Sequence, residues 1–357
     1  MEINFIVPSI KTGGGYRVIQ ELANRASEEN RVIIHTSNDG TSNTFYCAPN
    51  VKIKKYGNLI KNKYLRMFNM LFMLYKLREK RCIVTGTVLF PFLFLFKNVY
   101  YYMQADDYHL FDDRALIKNR LLLALYHWLQ KRAYQYKNVV FVFSSEWVYK
   151  RFLEVSGRKD VALRLISPAV NDAFFEKNNT KTHCTGNKKK IVIGTVIRRQ
   201  PMKGYKDFVQ AIHKLVDEGY ELNVALANPG DVDSGWDEKW QVLYPKNDAD
   251  MASFYRGCDI FISTSYWEGF GLPALEAMAS GCVVITSNNG GSNTYARDRV
   301  NCLVYPPKDV DALVEKIKTL YENRTGEIFR NLQKNGVKTA REYSWIKSID
   351  QFYRIIS

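Results

Sequence analysis

No Cys-x-x-Cys pair occurs among the six cysteines (Cys47, Cys82, Cys184, Cys258, Cys282 and Cys302), and the five histidines do not join them at zinc-ligand spacing. Thiols scattered in this way exclude a disulfide framework and a structural zinc module, and they suit a reducing cytoplasm. Long apolar runs are missing too. The most apolar stretch, Val84 to Phe96, is interrupted by Gly86 and Pro91 and falls well short of the ~20 residues that a membrane-spanning helix needs. The opening Met-Glu-Ile-Asn-Phe-Ile-Val-Pro lacks the charged start, long apolar middle and cleavage site of a secretory leader. It reads as a short buried strand, with the mature chain expected to begin here.

Acidic residues are scarce in the first half. Residues 1–187 hold 28 Lys and Arg against 15 Asp and Glu, net +13, whereas 188–357 hold 23 against 21. Lys52 to Arg81 is the extreme, with ten Lys or Arg against Glu79 alone, interleaved with Phe68, Met70, Leu71, Phe72 and Leu74. As one basic helix with an apolar middle, this segment would lie on an anionic bilayer surface; as a core helix with solvated basic ends, it needs no partner. Nucleic acid is not expected as a partner, because no zinc finger or RNP motif accompanies the charge.

At 357 residues and 46% hydrophobic content, the chain can bury two cores of about 170 residues each. Strand candidates Ile3–Val7, Val32–His35, Ile83–Thr85, Val99–Met103, Val139–Phe143 and Leu163–Ile166 alternate with helical patterns such as Arg17–Ser27 and Arg114–Tyr136, which predicts a parallel sheet. The polar run from Glu176 to Lys190 marks a linker. A second series follows: Lys190–Val196, Leu222–Ala227, Trp240–Leu243, Ile260–Ser263 and Val283–Thr286, closed by helices Val310–Tyr321 and Glu327–Tyr343. The boundaries are therefore 1–182 for a first domain, 183–342 for a second, and 343–357 for a last helix. In doubly wound folds ligands bind beyond the carboxyl ends of the strands.

Two glutamates, Glu268 and Glu276, stand eight residues apart around Gly269-Phe270-Gly271-Leu272-Pro273. This predicts a strand end, a flexible loop and a helix start, with Glu276 in the helix's first turn. Glycines let backbone N–H groups approach a ligand, and free amides at a helix start attract phosphate. Carboxylates on both sides suit sugar hydroxyls, since an ionised Glu accepts paired O–H donors. The plain alternative is an ordinary loop with a favourable helix-start charge. Arg198 and Lys203 follow the first strand of the second series, and two such cations would neutralise a diphosphate leaving group. Gly13, Gly14 and Gly15 follow the first strand of all, but without G-x-G-x-x-G spacing or an acidic end to the second strand, so a nicotinamide site is not expected. Close backbone approach to a substrate, or a tight turn, accounts for them.

Arg198, Lys203 with Gly204, and Glu268 and Glu276 around Gly-Phe-Gly-Leu-Pro resemble the signature of the retaining glycosyltransferases of family 4, as do the Gly13–Gly15 loop, Asp259–Ser265 and Gly290-Gly291. The resemblance implies the GT-B fold: an α/β protein of two facing Rossmann-like domains with a cleft between them and a last helix crossing back to the first. It implies that Arg198 and Lys203 bind the donor diphosphate, that Glu268 contacts the transferred sugar and that Glu276 binds the ribose. Gly14, Gly15, Gly269, Phe270, Gly271 and Leu272 complete the donor site. No metal or cofactor is implied, because the two cations take the metal's role. Gln104 followed by Ala105-Asp106-Asp107 resembles relatives that transfer rhamnose-like sugars, so dTDP-rhamnose joins UDP- and GDP-linked sugars as a donor. Gln104, Asp106 and Asp107 become acceptor-side candidates, with a purely structural role for the two aspartates as the alternative.

The expected function is transfer of a sugar, with retention, from a nucleotide-diphosphate sugar to a glycan or lipid-linked glycan in cell-surface polysaccharide biosynthesis. Such an enzyme would be cytoplasmic and peripheral on the inner face of the membrane. The competing readings are a non-catalytic GT-B scaffold that binds membrane or glycan, and an epimerase or phosphorylase on the same fold.

Overall fold

Near-continuous runs of β-branched and aromatic residues give this chain its strands, because a parallel sheet is covered on both faces and leaves no exposed side for polar alternation. The computed structural model describes all residues except 11–12, 41–44, 58, 60–65, 113–118, 177–189 and 229–235. The chain divides into two units, one of Met1–Pro168 with Trp345–Ser357 and one of Ala169–Ser344.

In the first unit β1 (Glu2–Val7), β2 (Arg31–Ser37), β3 (Val51–Tyr56), β4 (Cys82–Val84), β5 (Val99–Met103) and β6 (Val139–Phe143) form one parallel sheet in the order β3-β2-β1-β4-β5-β6. Helices α1 (Gly14–Ala26), α2 (Arg66–Leu77), α3 (Arg120–Tyr134) and α4 (Glu146–Ser156) connect or follow the strands. Phe90, Tyr101, Tyr134, Phe141 and Phe152 are buried together in its aromatic core.

The second unit repeats the plan. Strands β7 (Ile191–Val196), β8 (Leu222–Ala227), β9 (Gln241–Leu243), β10 (Ile260–Ser263), β11 (Val283–Ser287) and β12 (Leu303–Tyr305) run parallel in the order β12-β11-β10-β7-β8-β9. Its helices are α5 (Tyr205–Asp217), α6 (Asp248–Gly257), α7 (Leu272–Ala279), α8 (Val310–Glu322) and α9 (Glu327–Ala340). Strand order reverses between β1 and β4 in one unit and between β7 and β10 in the other, the position where open α/β sheets bind ligands.

Three sequence expectations differ from the structure. The Lys52–Arg81 segment is not one helix: Lys52, Lys54 and Lys55 lie on the edge strand β3, and among the described residues the helix is α2, Arg66–Leu77. Lysines on an edge strand discourage pairing with another sheet, which explains why a strand carries such polar sequence. Leu163–Ile166 makes a single bridge, Phe143 to Leu165, rather than a strand. The division between units falls at Pro168, ahead of the polar run, because Val170 and Phe174 are buried in the second core; residues 177–189 of that run lie outside the described residues. Strand β12 had no counterpart in the sequence reading.

The last helix, α10 (Trp345–Ile356), belongs to the first unit and packs on α1. Phe352 stacks on Phe5 of β1 at 5.6 Å, Ser348 donates to the Ser167 carbonyl at 2.6 Å, and Gln351 accepts from the Ser167 amide at 2.9 Å. Among the described residues no helix is long and apolar enough to cross a membrane. Replacing the fully buried Phe352 with Ala should lower stability by about 3–5 kcal/mol. Ile346→Ala, at a site 80% exposed on the same helix, should change it by less than about 0.5 kcal/mol. Equal effects of the two in denaturant titrations would refute this account of how α10 is held.

Candidate functional site

At the end of β7 the chain enters a short turn, Pro201–Lys203, and then Gly204, whose φ of 65° is left-handed. A Cβ at Gly204 would stand 2.1 Å from the carbonyl oxygen of Thr264, at the exit of β10. Only glycine satisfies both the dihedral and the contact. The two exits are then bonded together: Thr264 Oγ1 donates to the Lys203 carbonyl at 2.9 Å, and the Tyr266 amide donates to the Met202 carbonyl at 2.8 Å.

This coupling brings Lys203 to Glu268. Lys203 Nζ lies 2.7 Å from Glu268 Oε1, and Ser265 Oγ donates to the same oxygen at 2.7 Å. The second carboxylate oxygen has no partner among the described residues. Ser265 is a site residue that the sequence reading passed over, although it stood three positions before Glu268. Arg198, two residues beyond β7, is half-buried beside the turn.

Behind Glu268 stands the loop after β11. The Glu268 amide donates to the Asn289 carbonyl at 3.0 Å, and a Cβ at Gly291 would fall 2.4 Å from the Glu268 carbonyl oxygen. Gly269, Phe270 and Gly271 are buried, and Gly271, at φ 84°, caps the start of α7. Tyr295 donates to the Gly271 carbonyl at 2.5 Å, and Phe270 packs against Tyr295 and Tyr343. The loop is therefore fixed from behind, with Leu272 and Pro273 opening the helix. Glu276 is the fifth residue of α7, past the first turn where the sequence reading put it, and is 3% exposed. Its Oε2 accepts from Tyr255 at 3.1 Å. A buried carboxylate beyond the first turn is not explained as a complement to the helix dipole.

In the first unit α1 begins at Gly14, after the loop that follows β1, and a Cβ at Gly13 or Gly14 would meet no described atom within 4 Å. Packing among the described residues therefore does not require glycine there. Gln104 Nε2 donates to the Gly15 carbonyl and to Thr85 Oγ1, both at 3.1 Å, which ties the exits of β4 and β5 to α1. Asp106 and Asp107 turn inward. Asp106 accepts from Arg151 Nε at 2.8 Å and contacts His109 Nδ1 at 2.9 Å; Asp107 accepts from the Tyr101 hydroxyl, and Tyr126 donates to its carbonyl. Both side chains are nearly inaccessible and hold the loop after β5 together, which favours the structural alternative over acceptor contact. Burial pushes the Asp107 carboxyl up to about 7, against the hydrogen bond from Tyr101, which lowers it.

Two tests follow from this geometry. Because the folded-state pKa of Asp107 is raised, its ionisation works against folding: its favourable contribution is complete below pH ~4 and is lost as pH rises towards about 7. Asp107→Asn keeps an acceptor for Tyr101 and removes that penalty, so the variant should gain on the parent between pH ~4 and about pH 7. A stability difference that is flat over this range would count against the buried carboxyl. Gly204→Ala should lose about 1–3 kcal/mol from the dihedral alone, and more through the Thr264 contact. A variant as stable as the parent would show that the two strand exits are not coupled there.

The sequence profile of the glycosyl transferases group 1 family matches residues 177–342. D-inositol 3-phosphate glycosyltransferase of Corynebacterium efficiens is 26% identical over 222 residues, 58% of this chain and 51% of that protein. Probable sucrose-phosphate synthase of Thermosipho melanesiensis is 22% identical over 225 residues, 59% of this chain and 51% of its own. The chain thus spans about half the length of these curated relatives. Sucrose-phosphate synthase from Thermosynechococcus elongatus superposes with a TM-score of 0.78 at 15% identity, covering 99% of this chain and 98% of that one. WaaG, a glycosyltransferase involved in lipopolysaccharide biosynthesis, gives 0.76 at 14%, covering 99% of both. Anabaena HepE in complex with UDP and glucose gives 0.74 at 15%, covering 100% and 99%. These likenesses establish the GT-B type of fold, two parallel-sheet Rossmann-like domains, and residues 177–342 are the part that matches the glycosyl transferases group 1 family.

Proposed function

We propose that this chain is a retaining, metal-independent glycosyltransferase that moves a sugar from a nucleotide-diphosphate sugar to a glycan or lipid-linked glycan at an anionic membrane surface. The observation that carries the reading is the meeting of Lys203, Ser265 and Glu268 on one carboxylate oxygen at the strand-order reversal of the second sheet. A cation, a carboxylate and the start of α7 are gathered there, a combination suited to a sugar joined to a diphosphate.

In this reading Arg198 and Lys203 balance the charge that develops on the leaving diphosphate, and fixed charges of this kind are often the largest catalytic contribution. The amides of 269–272 receive phosphate and sugar oxygens. Glu268 orients a sugar hydroxyl through its second oxygen, and Glu276 takes the ribose by exchanging its bond from Tyr255. The acceptor attacks the anomeric carbon on the face that the diphosphate leaves; the sugar–phosphate bond breaks with its electron pair on the diphosphate, which receives the acceptor's proton. Gly14 and Gly15 serve the donor, and Gln104 contacts the donor sugar or acceptor from the first unit. UDP heads the candidate nucleotides because HepE is described with it; dTDP-rhamnose, suggested by Gln104 and the acidic pair, ranks lower once Asp106 and Asp107 are engaged internally.

Lys203→Ala and Glu276→Ala should each reduce sugar transfer by roughly 100-fold or more with little loss of fold, whereas Lys206→Ala, exposed on α5, should not. A thermal-shift screen of UDP, dTDP and GDP supplies the nucleotide, since a ligand of the native state raises apparent stability. Transfer undiminished in both alanine variants would sink the assignment.

A further inference from the structure

We propose that the outer face of α3 is the surface by which the first unit docks on an anionic lipid bilayer, an inference that rests on the membrane-surface reading above and gives it an address. Crossovers between parallel strands are right-handed, and the strand order β3-β2-β1-β4-β5-β6 therefore sets α2, the 90–95 turn and α3 on one face of the first sheet and α1 on the other. The contacts agree, with α2 and α3 both touching the 90–95 turn while α1 touches α10.

The inner side of α3 is firmly held. Gln130 donates to the Thr87 carbonyl at 3.1 Å, Tyr126 donates to the Asp107 carbonyl, and Ala133 and Tyr134 are buried. Its outer side carries Leu121, Leu122, Leu125 and Trp128, exposed by 82, 51, 49 and 55%. Spacings of one, four and seven residues make these one helical stripe. Single exposed leucines are ordinary, but a contiguous stripe marks an interaction surface.

Charge selects the occupant. Arg120 precedes the stripe and Lys131 and Arg132 follow it, all exposed, and the Arg132 guanidinium lies 5.6 Å over the Trp128 ring. From Asn119 to Ser145 the sequence has four Lys or Arg and no acidic residue, and Asp112 lies 2.8 Å from His127 of α3. A second copy of the chain would bring two positive faces together, whereas an anionic bilayer neutralises the charge as it takes up the leucines. Trp suits the water–lipid boundary, and long basic side chains reach from it into the headgroups. Each basic residue near such a surface raises the partition constant about fivefold. The stripe thus supplies apolar burial and its flanks supply lipid selectivity.

Sedimentation of the full chain with phosphatidylcholine vesicles, with and without phosphatidylglycerol, tests this. The parent should bind only the anionic vesicles, and Leu125→Glu with Trp128→Glu should weaken binding at least about tenfold while leaving thermal unfolding and donor hydrolysis unchanged. Ile346→Glu, a charge added at an exposed site on α10, should bind as the parent does. No binding by the parent overturns the membrane reading and this inference with it, without touching the transferase assignment. Binding that survives the α3 pair overturns the address alone. Self-association of the parent that the pair abolishes, in the absence of vesicle binding, identifies a second copy as the occupant and overturns the lipid.

Discussion

One glycine holds each sheet's reversal point in a backbone that other residues could follow only under strain. Gly86 in the first unit and Gly204 in the second take φ of 101° and 65°. A Cβ would meet the Pro8 ring at 2.6 Å in one case and the Thr264 carbonyl oxygen at 2.1 Å in the other. Each contact joins the exits of the two strands between which the order reverses, β1 with β4 and β7 with β10. Crevices beyond such reversals receive ligands in open α/β sheets, and here their walls are drawn together by backbone, leaving side chains for recognition. The hydrogen bonds from Thr264 and Tyr266 to the 202–203 carbonyls, and with them the reach of Lys203 to Glu268, depend on that approach.

The Lys203–Glu268 pair is partly open to solvent, at 27 and 15% side-chain exposure, and pairs near the surface contribute little to stability. Its value is orientation. With Ser265 on the same oxygen, one half of the carboxylate is held and the other is presented in a defined direction. The first unit organises its polar groups differently. Asp106 and Asp107 are enclosed by Arg151, His109, Tyr101 and Tyr126, and what reaches the strand exits is the amide of Gln104, bonded to Gly15 and Thr85.

Much of the fold could be read from the chain because buried parallel strands and amphipathic helices announce themselves by apolar runs and helical spacing; Val99–Met103 and Val139–Phe143 emerge with the expected limits. The lysine-rich β3 could not, since an edge strand tolerates polar sequence that a central strand would not. Within the site, Arg198, Lys203 and the two glutamates were visible as a motif. The contribution of Ser265 was not, because a serine gains meaning only from the carboxylate that folding brings to it. Asp106 and Asp107 were misleading for the opposite reason: an acidic pair after a strand looks alike in sequence whether it faces solvent or, as here, closes on Tyr101 and Arg151. Part of the +13 charge of the first half likewise has an edge-strand role, at Lys52, Lys54 and Lys55, and part a helix-flanking one, at Arg120, Lys131 and Arg132.

The position of α10 has a consequence for the order in which the protein is made. The second unit is one continuous segment, 169–344, whereas the first needs Phe352 against Phe5 and Ser348 and Gln351 against Ser167. Translation delivers the first unit's strands early and its last layer only after the second unit. Domains fold as units, the earlier ones first as they emerge, but here the earlier unit must wait on the ribosome, with the α10-binding face of β1 and α1 uncovered, until the later one has been completed.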